Sequence, residues 1–165
     1  MTKISILFTG TKLKEKKELS IALVGQTRIK ELNRKYRKKN QVTDVLSFDY
    51  RARRSRAKVK EEDKVFFAHN HIGEVVICPK IVKENAKKYD LSFREELARV
   101  LIHGILHLLG YSHKEIQKKE EYFLLRIKKS FFEKYDIIKE STYTLDTKIL
   151  LKILKNLPNE ILIYS

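Results

Sequence analysis

A chain of 165 residues is long enough for one domain with a substantial core, and a 42% hydrophobic share with eight Phe and eight Tyr argues against global disorder. The single cysteine, Cys78, excludes an internal disulfide and any multi-cysteine zinc module. With no signal-peptide pattern and no apolar run near the roughly 20 residues that span a bilayer, it leads us to expect a cytoplasmic protein with no membrane contact. The formal net charge is +15, and 13 basic against 3 acidic residues between Arg28 and Lys60 concentrate two thirds of it there, which points to a polyanionic partner.

Lys3 to Thr9 and Ser20 to Gly25 are short, β-rich apolar runs that read as strands, with a short Lys/Glu-rich helix between them. Ile29, Leu32 and Tyr36 recur at helical spacing, which predicts a helix over 27–38 with Thr27 as N-cap and Tyr36 on its buried face. Val42 to Phe48 is a third strand. The charged, aperiodic stretch that follows reads as a mobile loop, and Ile72 to Cys78 as a fourth strand. Pro79 suits the first turn of a helix to Tyr89.

Ser92 and Glu95 form a capping box for the next helix, which carries Leu97, Val100, Leu101, Ile105 and Leu108 and stops at Gly110. A last amphipathic helix presents Ile116, Phe123, Ile127 and Phe131. Beyond Asp136 there is a weaker helix near 147–156, then Pro158 and ILIYS. The order predicts an α+β fold: a single small mixed β-sheet of about four strands covered by helices. Parallel neighbours are expected where helices intervene, and an antiparallel edge pair across the loop 49–71. We divide the chain into a domain over 1–136 and a C-terminal extension over 137–165 packed on it.

The chemistry is densest in Leu101 to Glu115, LIHGILHLLGYSHKE. His103 and His107 are four residues apart on a helix and so share one face. Gly110 ends the helix, and Tyr111 and Ser112 let the chain swing His113 back to the same point. Three imidazoles leave the fourth tetrahedral position open, the arrangement of a catalytic zinc. An ordinary amphipathic helix would explain one His pair, but not a third His just beyond a helix-ending glycine. His69 and His71 sit in a loop at the foot of a strand and read as solvent-facing or RNA-touching. The residue after His103 is Gly104, where a zinc protease carries its glutamate base.

Three blocks in register, HGILHLLGYSH, LNRKYRKKNQVTDVLSF and IGEVVICP, resemble the YbeY family of bacterial endoribonucleases over roughly Ser20 to Tyr135. The resemblance implies an α+β, zinc-metalloprotease-like fold, one Zn2+ per chain held by His103, His107 and His113, and a functional Arg37. It implies a single-strand-specific, zinc-dependent endoribonuclease in 3′ maturation of small-subunit 16S ribosomal RNA and in ribosome quality control. The implied partners are ribosomal RNA, the small ribosomal subunit and ribosome-associated proteins, and we expect a monomer. Two departures matter. Ser112 replaces the family's Asp, taken as an outer-shell group near the histidines, and Glu74 replaces the Asp of the strand block and keeps a carboxylate.

In this reading His107 and Arg37 are the catalytic residues. A zinc ion can supply hydroxide near neutral pH without a strong base, and the planar guanidinium of Arg37 can hold two phosphate oxygens. Arg37, Arg51, Arg53, Arg54 and Arg56 form the RNA grip, with Tyr50 as a possible stacking platform. Glu74 is a candidate base, outer-shell carboxylate or paired strand acid. Attack by metal-activated water and attack by the RNA 2′-hydroxyl both remain open. A non-catalytic ribosome-assembly factor with a structural metal is the main alternative, and a zinc protease a weaker one.

Overall fold

The structure, a computed structural model, describes residues 2–10, 17–51, 71–127 and 161–164. The elements are β1 (Thr2–Gly10), β2 (Lys17–Leu23), α1 (Gln26–Arg37), β3 (Val45–Asp49), β4 (His71–Ile77), α2 (Pro79–Lys88), α3 (Phe93–Leu108), α4 (His113–Ile127) and β5 (Ile161–Tyr164). They build a mixed α+β fold around one sheet of strand order β3-β4-β2-β1-β5.

The chain leaves β2, crosses one face of the sheet as α1, and comes down as the edge strand β3. It then returns as β4, antiparallel to β3 and parallel to β2. A parallel pair needs a long crossover, and α1 with β3 supplies it. The antiparallel β3–β4 pair matches the expectation for that connection. The first two strands differ from expectation, because β1 and β2 are antiparallel, with Phe8 opposite Lys17. The connection is only six residues long, too short for a crossover. The helix expected there, the loop over 52–70 and the helix near 147–156 lie outside the described residues.

A fifth strand was not expected either. Ile161–Tyr164 pairs antiparallel with the end of β1, so this part of the C-terminal extension joins the sheet. Four residues carry too little alternation to be recognised as a strand without their partner.

Alternation along the strands sorts the core into two layers. Leu19, Ile21, Val75 and Ile77 face α3, which lies between α2 and α4. Ala22, Leu46 and Val76 face α1, whose Ile29 is fully buried. Helix α1 starts one residue earlier than expected. Gly25 is the N-cap, without a side-chain hydrogen bond, so Thr27 lies inside the first turn. Cys78 is a buried thiol at the start of α2. Among the described residues no helix is long and apolar enough to cross a membrane.

The approach of α3 to the sheet is closest at two glycines. A Cβ on Gly73 would run into the Phe48 carbonyl oxygen and come within 2.8 Å of Leu108 Cδ2. A Cβ on Gly104 would come within 2.6 Å of Val75 Cγ1 and 3.2 Å of Ser47 Oγ. Gly73→Ala should therefore lower stability by about 1–3 kcal/mol, the usual cost of overpacking a close-packed core. Thermal unfolding followed by circular dichroism measures this, and an unchanged Tm would show that the sheet and α3 are not in register as described.

Candidate metal centre

Helix α3 is framed by local chemistry that its sequence announces. The Ser92 hydroxyl accepts from the Glu95 N–H at 3.2 Å, and the Ser92 N–H donates to the Glu95 carboxylate at 3.0 Å, so the capping box is complete. At the other end Gly110 takes φ +79°, with Gly110 N–H bound to His107 O at 3.0 Å and Tyr111 N–H to Leu106 O at 3.2 Å. This paired closure is a Schellman motif, and the left-handed residue turns the chain so that α4 starts beside the end of α3.

The reversal gathers the three histidines. The Nε2 atoms of His103 and His107 stand 3.0 Å apart, their rings are 4.6 Å apart, and the His113 ring lies 5.1 Å from that of His107. Tetrahedral zinc with Zn–N bonds of about 2.0–2.1 Å separates ligand nitrogens by roughly 3.3 Å, so the first two imidazoles fit such an ion closely. Among the described residues no three His, Cys, Asp or Glu side chains form a ready-made metal-holding group. The third contact therefore requires adjustment of His113, whose side chain is exposed at the head of α4. Burial pushes His107 below the ordinary histidine range, with His103, His113 and Arg37 acting in the same direction and Glu120 against it. A neutral imidazole is the form that ligates metal.

The sequence reading missed four residues around this pair, Glu96, Arg99, Asp44 and Glu120. Glu96, Arg99, His103 and His107 fall at i, i+3, i+7 and i+11, one polar stripe along an otherwise apolar helix. Periodicity alone could have found it. Glu96 is fully buried, and both its oxygens accept from Arg99, at 2.6 and 2.7 Å. Arg99 also reaches Asp44 Oδ2 at 3.7 Å. Its protonated form is reinforced first by the Glu96 hydrogen bonds, against burial, and then by the charges of Glu96, Asp44 and Glu120. Asp44 in turn accepts from Val45 N–H at 2.8 Å and Asn85 Nδ2 at 3.2 Å. From α4, Glu120 hydrogen-bonds His103 Nδ1. No sequence signal on α4 alone marks Glu120, because its role depends on how α4 crosses α3.

The remaining sequence-named residues are distributed more widely. Arg37 ends α1 and is exposed, yet it stands close enough to His107 to affect its charge. The turn behind it is fixed by Asn33, whose carbonyl accepts from Lys39 N–H at 3.3 Å and whose Nδ2 donates to Gln41 O at 2.9 Å. Tyr36 is 50% exposed, with its ring edge-on to Phe48 at 5.1 Å, rather than buried as its helical spacing suggested. Ile29 and Asn33 fill the space beneath the helix instead.

Arg51 chelates Asp49 through Nε at 3.0 Å and a terminal nitrogen at 2.8 Å, and it also donates to the carbonyl of Leu108. Its guanidinium thus ties β3 to the C-terminal end of the histidine helix, where the dipole favours a cation. Arg53, Arg54, Arg56 and His69 lie outside the described residues.

Glu74 is not brought to the histidines. Its neighbours Gly73 and Val75 face α3, so its side chain lies on the opposite face of the sheet, where Tyr50 donates to it at 3.3 Å. Tyr50 also packs against the ring of His71 at 5.5 Å. His71 is part-buried with Nε2 within 3.3 Å of Ser20 Oγ and 2.9 Å of Gly73 O, rather than simply solvent-facing. Ser112 caps α4: its hydroxyl bonds Glu115 Oε2 at 2.8 Å and accepts from Glu115 N–H at 3.4 Å, while its own N–H donates to the same carboxylate at 2.7 Å. Ser and Asp are equally good N-caps, so this duty survives the exchange.

A family model described as Endoribonuclease YbeY matches residues 2–135, most of the chain and all three histidines. The chain belongs to the YbeY family. It is 41% identical over 117 residues to an Endoribonuclease YbeY of Thermodesulfovibrio yellowstonii, covering 67% of each chain. It is 36% identical over 126 residues to that of Staphylococcus saprophyticus, covering 74% of this chain and 78% of the other. With the protein of Thermotoga petrophila it shares 42% over 106 residues, 64% of this chain and 60% of that one. The matches therefore span about two thirds of the relatives' length. A solution structure of TM1509 from Thermotoga maritima aligns over 76% of this chain and 78% of its own, with a TM-score of 0.47 and 32% identity.

In this YbeY-family chain the direction of His113 depends on one left-handed residue. No atom stands within 4 Å of a Cβ built on Gly110, so replacement there tests backbone conformation alone. Gly110→Ala should cost about 1–2 kcal/mol, and Gly110→Asn less, measured by urea unfolding. Equal stability of the three proteins would refute the left-handed closure.

Proposed function

We propose that this chain is a zinc-dependent endoribonuclease that cleaves single-stranded RNA and acts in 3′ maturation of 16S ribosomal RNA and in ribosome quality control. The observation that carries the reading is the convergence of His103 and His107 Nε2 within electrostatic reach of Arg37, at the end of a strongly basic helix. Family membership supports it, since the relatives are named endoribonucleases. His103, His107 and His113 would hold the metal. When bound, zinc there supplies Lewis acidity and activates water near neutral pH.

The chain's own residues do the rest. Arg37 neutralises charge on the phosphate undergoing cleavage, and the neutral state of His107 keeps a lone pair available. The exposed face of α1, with Arg28, Arg34, Lys35 and the half-exposed ring of Tyr36, holds the RNA backbone beside this site. The basic run that contains Arg53, Arg54 and Arg56 follows directly on Arg51, which is pinned at Leu108 next to His107. Peptide hydrolysis is disfavoured by Gly104, because the place of a glutamate base is filled by Val75 and Ser47.

The test is purified protein with immature small-subunit ribosomal RNA. Cleavage should be lost in His107→Ala and fall about a hundredfold or more in Arg37→Ala, the usual cost of removing one charge-stabilising group. Equal cleavage by all three proteins would identify a contaminating nuclease and defeat the proposal. RNA binding without cleavage by the wild type would favour a non-catalytic assembly factor. A cyclic phosphate on the product marks attack by the 2′-hydroxyl, and its absence marks attack by water. Binding should weaken steeply between 50 and 200 mM salt, roughly as expected for several phosphate contacts.

A further inference from the structure

The metal reading of the site leaves one contact unexplained, that of the Glu120 carboxylate with His103 Nδ1. Glu120 is largely buried, whereas most of α4's acidic and basic residues are on its exposed side. A carboxylate taken this far from water needs a compensating partner. Two are present: the imidazole of His103, and the charge of Arg99, which Glu120 helps to hold protonated. Arg99 is anchored by two hydrogen bonds to buried Glu96 and by Asp44 at the entry to β3. Arg99 lies one helical turn before His103 on the same face of α3.

These contacts fix a direction. An ionised carboxylate only accepts hydrogen bonds, so opposite one a neutral imidazole carries its proton on Nδ1 and leaves the lone pair on Nε2. That is the atom 3.0 Å from His107 Nε2. We propose that Glu120 is a positioning residue for metal capture: its carboxylate holds His103 in the Nδ1–H tautomer and aims Nε2 at the metal position, and Arg99, braced by Glu96, keeps the carboxylate there. The site therefore draws on α4 twice, through His113 as a ligand and through Glu120 as the support of a ligand. Ser112 carries none of this support, since its hydroxyl is committed to capping α4.

Two measurements on the purified full chain test the proposal. The first is nitrogen-15 NMR of the metal-free protein at pH 8, which reports the His103 tautomer directly. Wild type should show Nδ1–H, and Glu120→Ala a mixture of both tautomers. The second is zinc affinity by competition with a chromogenic chelator. Glu120→Gln and Glu120→Ala should bind zinc about 10–100-fold more weakly, the usual range for losing a partner of a ligating histidine. Glu121→Gln, one position along on the exposed side, should bind as wild type does. Glu120→Gln keeps the side chain's shape and guards against a loss that merely reflects unfolding, which circular dichroism monitors. Wild-type zinc affinity in both Glu120 variants overturns the positioning role and leaves the metal reading standing. A wild-type chain that takes up no zinc overturns the metal reading and this inference with it.

Discussion

Helix α3 rests on the sheet at two points where one of the two partners is a glycine with no side chain, and most of the site depends on that contact. At Gly104 the helix backbone meets Val75 and Ser47, and at Gly73 the strand backbone meets Leu108 and the Phe48 carbonyl. The Ser47 hydroxyl donates to the Gly104 carbonyl at 3.1 Å, so the approach is bonded as well as packed. A helix held so closely has no freedom to roll, because every rotation would drive a side chain into the sheet. His103 and His107 lie together to one side of Gly104 around α3. Their direction is set by a glycine that carries no chemistry of its own. Gly104 thus serves two ends: it locks the helix, and it leaves no room for the glutamate of a peptidase.

The polar stripe beside that contact would be costly on its own. Glu96 is fully buried, and a lone carboxylate there would be heavily penalised. Its two hydrogen bonds from Arg99 offset the penalty and place a positive charge on α3 near Asp44 and Glu120. Buried ion pairs are weak sources of net stability, since desolvation offsets much of the attraction. What this pair supplies is geometry. It fixes a cation at one place between β3, α3 and α4, and the carboxylates around it are ordered by that charge.

The parts of the molecule that were legible in the sequence are those decided within a few residues. The capping box at Ser92, the stop at Gly110 and the four-residue interval of His103 and His107 are local, and each is found where local rules put it. The parts that were not legible depend on partners far along the chain. The antiparallel β1–β2 pair and the strand Ile161–Tyr164 follow from sheet order, which no window of residues contains. Glu74 stands where the family's strand block carries an Asp, but the parity of one strand sends it to the far face because Gly73 and Val75 must meet α3. Arg51 belongs to a basic run that suggested nucleic acid, and its guanidinium closes the end of the histidine helix. Glu120 carried no mark at all until α4 was laid across α3.

The position of the site in the sheet explains why a residue from the opposite face can act on it. β3 is an edge strand, with α1 packed against one side and α3 against the other. Among the described residues no further strand pairs with β3, and the end of α1 lies beside this strand. The turn after Arg37, fixed by Asn33, leads straight into β3. The charge of Arg37 is therefore felt at His107 although the two belong to different layers. Had β3 been an inner strand, the same arginine would have been screened from the histidines by another strand and its covering helix.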